Sequence, residues 1–296
     1  VMTEEELKKY RQESEHWIFG YELFNSSPTT FSPATDIPVP EDYILGPGDQ
    51  LNIQTYGTKT LTTNSFISRE GSVVIPQLGP VYVVGLTLRE AKQLIEGKIS
   101  KELMGTQAYV SIGKLRTITI YILGEAYQPG SYKISSLSTI SNALFVSGGV
   151  NERGSVRNIL IKRDGKTILS FDLYKLLLEG DTSQDVTLQQ GDTLFIPLLE
   201  KKAQAYGSFR RPHLFELKDG DTVKDLFYFA GGLTSRAKID GKFELTRLNK
   251  NSIEVREFNI KDEDFLLEKL QDGDSVSARS LSSLTGGVIE LKGEFK

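Results

Sequence analysis

An internal duplication constrains this chain more than any other feature. Residues about 121 to 150 align without a gap to residues about 204 to 233 at a constant offset of 83. Gly124 matches Gly207, Pro129 matches Pro212, Tyr132 matches Phe215, Ile134 matches Leu217, Thr139 matches Thr222, and Gly148-Gly149 matches Gly231-Gly232. Each copy reads as strand, tight turn, strand, a Thr-capped helix of about two turns, a Gly-Gly stop and further strands, the order of a β-grasp. The later strands follow in both copies: Ile159 to Lys162 with Thr167 to Phe171, then Phe243 to Arg247 with Ile253 to Phe258. Each copy next reaches a Gly-Asp turn feeding a strand, Gly191-Asp192-Thr193-Leu194 and Gly273-Asp274-Ser275-Val276.

The same turn chemistry occurs once upstream, at Gly46-Pro47-Gly48-Asp49, which suits a type II turn with Pro presetting φ and Gly48 taking the positive φ. The unit around it begins near Asp42. Leu51, Ile53 and Thr55 alternate with polar neighbours as in a half-buried strand, and Arg69-Glu70-Gly71-Ser72 reads as a hairpin turn into Val73-Val74-Ile75. Thr87 with Glu90 forms a capping box ahead of Leu88, Ala91, Leu94, Ile95, Ile99 and Leu103, which share one helical face. A strand from Ala108 to Ile112 closes the unit.

The ends read differently. Thr3 with Glu6 caps an expected first helix that runs to about Gly20, and prolines 28, 33, 38 and 40 then impose an extended linker. Val288 to Glu294 resembles Thr119 to Glu125, so a third copy is expected to start there and to be cut short at Lys296, as in a fragment of a longer chain. The organisation expected is α+β and multi-domain: helix and linker at 1–41, a small mixed-sheet unit at 42–116, repeats at 117–200 and 201–281, and the start of a third at 282–296.

Composition removes several function classes. The formal net charge is −4, with Lys and Arg scattered among Asp and Glu, so the basic stripe of a nucleic-acid binder is missing. No apolar run reaches the roughly 18 residues of a membrane span, and Val1-Met2-Thr3-Glu4 lacks the basic and apolar regions of a signal peptide. With no Cys, disulfides, thiolate catalysis and Cys-ligated zinc are excluded together. His16 and His213 join no nucleophile or ligand cluster. Asp219-Gly220-Asp221, Asp262-Glu263-Asp264 and Asp272-Gly273-Asp274 lack an EF-hand pattern and read as turns or solvated helix starts. The glycine pairs follow a helix rather than precede one, so they are helix C-caps and not phosphate loops. No catalytic constellation, metal or cofactor is expected. Tyr127 and Gln128 in the first copy's turn, and Phe209, Arg210 and Arg211 in the second's, are read as exposed and therefore as contact candidates for a polymer or partner.

Asp42-Tyr43-Ile44-Leu45-Gly46-Pro47-Gly48-Asp49, the Gly71 to Gly79 stretch, and two repeats with a Gly-x4-Pro turn and a Gly-Gly helix stop resemble the outer-membrane polysaccharide export family, across residues 42 to 296. The first unit is similar to its polysaccharide export domain and the copies to its soluble ligand-binding β-grasp (SLBB) modules. The resemblance implies a periplasmic protein associated with the outer membrane, homo-oligomeric when full length. It implies a ring that passes capsule or exopolysaccharide outward together with an inner-membrane copolymerase. Membrane attachment would use segments this sequence lacks: a lipoprotein signal, an acylated Cys and an amphipathic C-terminal segment. The other reading of the copies is a saccharide- or small-ligand-binding module with no conducting role.

Overall fold

The computed structural model describes residues 18–25, 38–235, 237, 242–249 and 252–278. The start of the helix expected from Thr3, most of the proline linker, His16 and the expected third copy lie outside the described residues; the expected end of that helix is corrected, since Ile18 forms a β-bridge and Phe19 and Gly20 a turn.

Among the described residues, four sheets form. Strands β1 (Gln50–Gly57), β2 (Leu61–Phe66) and β5 (Thr106–Ile112) make an antiparallel sheet in the order β2-β1-β5, and β3 (Ser72–Ile75) pairs with β4 (Gly79–Tyr82). The alternation in β1 does what the sequence requires. Leu51 and Ile53 are buried against helix α2 (Leu88–Glu102), whose Leu88, Ala91, Ile95 and Ile99 enter the same core. Fully burying an Ile or Leu side chain contributes roughly 1.5–3 kcal/mol, so this stripe holds the helix onto the sheet. The capping box is present: Glu90 N donates to Thr87 Oγ1 at 3.2 Å and Thr87 N donates to Glu90 Oε2 at 2.9 Å. Two expectations need correction. Leu94 faces outward, 43% exposed, because the apolar stripe is narrower than the sequence suggested. The turn at residues 69–72 does not join a hairpin, since β3 pairs forward with β4 and not back with β2.

The copies have identical topology. Strands β6 (Thr117–Gly124), β7 (Gly130–Ser135), β8 (Ile159–Arg163), β9 (Lys166–Phe171) and β10 (Thr193–Ile196) lie in the order β7-β6-β10-β8-β9. Strands β11 (Lys202–Gly207), β12 (His213–Glu216), β13 (Lys242–Asn249), β14 (Ser252–Asn259) and β15 (Ser275–Ala278) lie in the order β12-β11-β15-β13-β14. In both sheets the last strand is parallel to the first and antiparallel to the third, the mixed arrangement of a β-grasp. His213 therefore starts a strand and is not part of the turn. Helices α3 (Ile140–Val146) and α4 (Val223–Phe229) cover equivalent places, each behind a Thr capping box. Gly124 and Gly207 recur for a steric reason: a Cβ would stand 2.1 Å from the Ile196 carbonyl oxygen in one copy and 2.3 Å from that of Ala278 in the other.

A single apolar core runs through both modules and takes in Ile18, Phe19 and Tyr21 of the N-terminal segment. Ile18 forms a parallel bridge with Leu214 on the edge strand β12, and Phe19 N donates to Leu214 O at 2.8 Å. The Phe19 ring lies 5.3 Å from Tyr174 and 5.6 Å from Phe215, so it sits between the two modules. Tyr21 donates its hydroxyl to Gly154 O at 2.5 Å, and Phe24, in the short helix α1 (Glu22–Asn25), packs 5.3 Å from Phe145. The segment thus straps one module to the other.

Candidate contact surfaces and the seam between modules

The Gly-Asp turns carry more than backbone geometry. Asp49, Asp192 and Asp274 are all buried, and each carboxylate meets one arginine: Arg116, Arg163 and Arg247. Asp192 takes two bonds from Arg163, both 2.8 Å, and one from Gln189 N at 2.7 Å. Asp274 takes two from Arg247, 2.9 and 2.7 Å, and one from Gln271 N at 2.8 Å. Asp49 accepts from Tyr43 Oη, Gly46 N and Arg116, while the Tyr43 hydroxyl also meets Ser136 Oγ at 2.6 Å. Burial raises the Tyr43 phenol well above its usual range, so it stays protonated in this link between the first unit and the first module. In the two repeats, bidentate Arg–carboxylate geometry fixes where the final strand enters the sheet. Gly46 and Pro47 form the expected turn, closed by Asp49 N to Gly46 O at 3.1 Å, with Gly48 at φ +97°.

A second polar network lies on the seam. The Glu216 carboxylate of β12 accepts from Ser155 Oγ at 2.5 Å, Val156 N at 2.7 Å and Arg157 N at 3.0 Å, all from the other module. Arg157 donates to Glu216 O at 2.9 Å and to Asp221, and its Nε lies 3.4 Å from Asp172 Oδ2, a charge contact without a hydrogen bond. The guanidinium also covers the Tyr174 and Phe229 rings at 4.9 and 4.7 Å. Lys218 Nζ closes the cluster on Asp172 at 2.7 Å. Burial pushes the Glu216 pKa up, and its three donors and the Arg157 charge offset this only in part. Asp221 and Asp274 stand at turns as expected, and each is ion-paired there, with side chains 15% and 0% exposed. Asp262 is a helix start as expected, its Oδ1 accepting from Phe265 N at 3.3 Å.

The turn candidates separate into two groups. Tyr127 is 65% exposed, and Gln128 is exposed beside it. Arg210 is exposed with Nε on Leu233 O at 3.0 Å, while Arg211 is half-buried, bonded to Phe229 O at 2.9 Å and lying 4.8 Å over the Phe19 ring. Phe209 is the correction: it is 2% exposed, with Phe227 and Phe243 at 5.0 and 6.5 Å, and it belongs to the core. A signal for this existed, because the offset of 83 pairs Phe209 with Ala126, also buried, and pairs the exposed Tyr127 with Arg210. Gly148, Gly149, Gly231 and Gly232 all have positive φ after α3 and α4. The amides of Gly149 and Gly232 return to Leu144 O and Phe227 O at 2.7 and 2.9 Å, as helix C-caps do.

A cleft of about 810 Å³ opens between the N-terminal strap and the two modules, lined by Tyr21, Phe24, Tyr127, Asn151, Arg153 and Lys202 among others. Its size falls in the range of small-ligand sites. Among the described residues, no cluster of three or more His, Cys, Asp or Glu is arranged to hold a metal, and no helix is long and apolar enough to cross a membrane.

Comparison with known proteins agrees with this architecture. Residues 37–113 match the family described as polysaccharide biosynthesis/export protein, and residues 119–196 and 206–254 match two SLBB domain families. Two curated relatives, both the polysialic acid transport protein KpsD of Escherichia coli, are 26% identical over 204 residues, covering 68% of this chain and 36% of the relative. The chain thus spans about a third of the length of the curated relatives it matches. With the export-type unit first and two SLBB repeats of one topology after it, the chain belongs to the polysaccharide export family with SLBB repeats.

Proposed function

We propose that this chain is the periplasmic part of an outer-membrane export protein for capsule or exopolysaccharide, and that its full-length form closes into a ring or collar through which the polymer is translocated. The observation that carries the reading is the shared core of the two modules, reinforced by the Glu216–Arg157 seam and the Phe19 strap. A closed ring needs subunits of fixed curvature, because a heterologous interface closes only when each copy repeats the same rotation. Two modules fused through one core supply such a stiff block. The units divide at about residues 42, 117 and 201, and the exposed edges and turns make the subunit contacts. The partners are the polysaccharide, further copies of the chain, an inner-membrane copolymerase and the outer membrane. The role is geometric rather than catalytic.

Light scattering of the full-length protein in detergent or lipid tests this. A discrete oligomer with a central opening by electron microscopy is expected. A protein that stays monomeric at every concentration, with lipid present, refutes it. The cleft beside Tyr127 favours a second reading, a saccharide- or small-ligand-binding module without a conducting role. Saturable oligosaccharide binding that is lost in Tyr127→Ala, with no assembly of the full protein, would establish that reading instead.

A further inference from the structure

The outward face of the β2-β1-β5 sheet has a composition unlike the rest of the surface. Gln50, Asn52, Gln54 and Tyr56 of β1 share that face, opposite the buried Leu51, Ile53 and Thr55. The register sets Phe66, Asn64 and Thr62 of β2 on one side of them, and Ser111, Tyr109 and Gln107 of β5 on the other. These ten positions hold five carboxamides, two aliphatic hydroxyls and three aromatic rings, with no Asp, Glu, Lys, Arg or His. For a chain with 25% charged residues, ten surface positions would carry about two or three charges. The rings stand out from the face: Tyr56, Tyr109 and Phe66 are 50%, 58% and 56% exposed.

Of the two inner amides, Gln50 is held by a hydrogen bond, while Asn52 Oδ1 is buried without a partner among the described residues. Gln50 Oε1 accepts from Lys114 N at 3.3 Å, and Gly113 leaves space for the pair, since a Cβ there would stand 2.7 Å from Asn52 Oδ1 and 2.8 Å from Gln50 Oε1. From Gln50 to Tyr56 the face runs about 20 Å, and the three strands span about 10 Å. An anionic polymer or nucleic acid would call for cations, which the face lacks. A protein interface would centre on an apolar patch, whereas here a row of amides separates Phe66 from Tyr56 and Tyr109. A carboxamide offers a donor and an acceptor in one plane, which pairs with neighbouring hydroxyls, and an exposed ring offers an apolar surface to the C–H face of a sugar.

We propose that this face binds an uncharged, hydroxyl-rich saccharide segment, with Tyr56, Tyr109 and Phe66 stacking on sugar rings and Gln54, Asn64 and Gln107 bonding their hydroxyls. The proposal rests on the export reading for the class of polymer, and it places the contact on the first unit rather than on the repeat turns.

The test titrates the 296-residue chain with maltoheptaose, cellohexaose, laminarihexaose and dextran, and separately with oligosialic acid. Calorimetry and the side-chain amide NMR signals of Asn and Gln follow the binding. At least one neutral probe should saturate and move the Gln54, Asn64 and Gln107 signals. Tyr109→Ala should weaken it roughly five- to tenfold, Tyr109→Phe should stay within about twofold, and oligosialic acid should bind at least about tenfold more weakly. Because Tyr109 is exposed, its variants should melt with the wild type. NMR mapping on the unaltered chain gives a readout that needs no variant. The proposal is overturned if no neutral probe binds, if the shifts map elsewhere, if a folded Tyr109→Ala binds unchanged, or if oligosialic acid binds equally well. It is also overturned if Tyr109→Ala alters self-association but not glycan affinity, which would make the face a subunit contact. Ring assembly of the full protein is measured separately, so failure here leaves that reading standing.

Discussion

Replacing Arg157 by alanine removes the cation at the seam between the two modules. In the native chain its guanidinium meets Asp221, Asp172 and the Glu216 carbonyl and covers two aromatic rings, with 6% of the residue exposed. Taking away one partner of a buried charge cluster typically costs about 3–5 kcal/mol, because the remaining charges are stranded. Here Asp172 keeps Lys218 Nζ at 2.7 Å and Asp221 keeps Lys218 N at 2.7 Å, so the lower end, about 3 kcal/mol, is expected. For a unit of 150–250 residues this lowers the melting temperature by about 6–12 °C. Scanning calorimetry at neutral pH, repeated in high salt, measures the loss, and salt should change it little because the cluster is shielded from solvent. Arg157→Met restores apolar volume but not charge and should remain destabilised. Adding Asp172→Asn and Asp221→Asn to it should recover part of the loss. A drop equivalent to less than about 1 kcal/mol would refute the energetic account of the seam. Two well-separated transitions for the repeats in the wild-type chain would refute the shared core itself.

Three further outcomes follow from particular residues. Gly149→Ala should cost about 1–2 kcal/mol in backbone strain at φ +85°, and more because its Cβ would stand 2.0 Å from Phe24 Cγ. Hydrogen exchange at residues 18–24 should therefore rise, whereas Gly232→Ala, with nothing within 4 Å, should show the strain alone and leave the strap protected. Phe209→Ala should destabilise by about 3–5 kcal/mol in chemical denaturation, as loss of a core ring does. Glu216 sets a pH dependence: its folded pKa lies above the ordinary glutamate value of 4.5, so between the two values the folded state holds more protons than the unfolded one. Its contribution to stability is full below 4.5 and is lost as pH rises through the folded value. Glu216→Gln should flatten the fall of melting temperature across that window, and an unchanged slope would assign it to other groups.

Much of the fold was legible because it is written in local chemistry. Strand alternation in β1, the capping boxes at Thr87, Thr139 and Thr222, and the positive-φ glycines after α3 and α4 act over a few residues. Their signals therefore survive without tertiary information. The duplication added the long-range part, since one topology had to serve two stretches. The candidate contacts were less legible. Exposure was inferred for Phe209 from its place in a turn, yet a turn that folds back over a helix C-cap points one of its residues inward, and Phe209 and Ala126 are those residues.

The amino-acid sequence by itself determined the order of elements, the repeat and the family, because turn residues, helix caps and apolar periodicity are properties of neighbours along the chain. Only the tertiary structure decided that Arg157 and Glu216 lock two modules into one block, that Ile18 to Phe24 strap them together, and that ten uncharged side chains share one sheet face. The reason is physical. A buried carboxylate and a solvated one are the same letter, and three strands from distant stretches present a common face only after the register of the sheet is set.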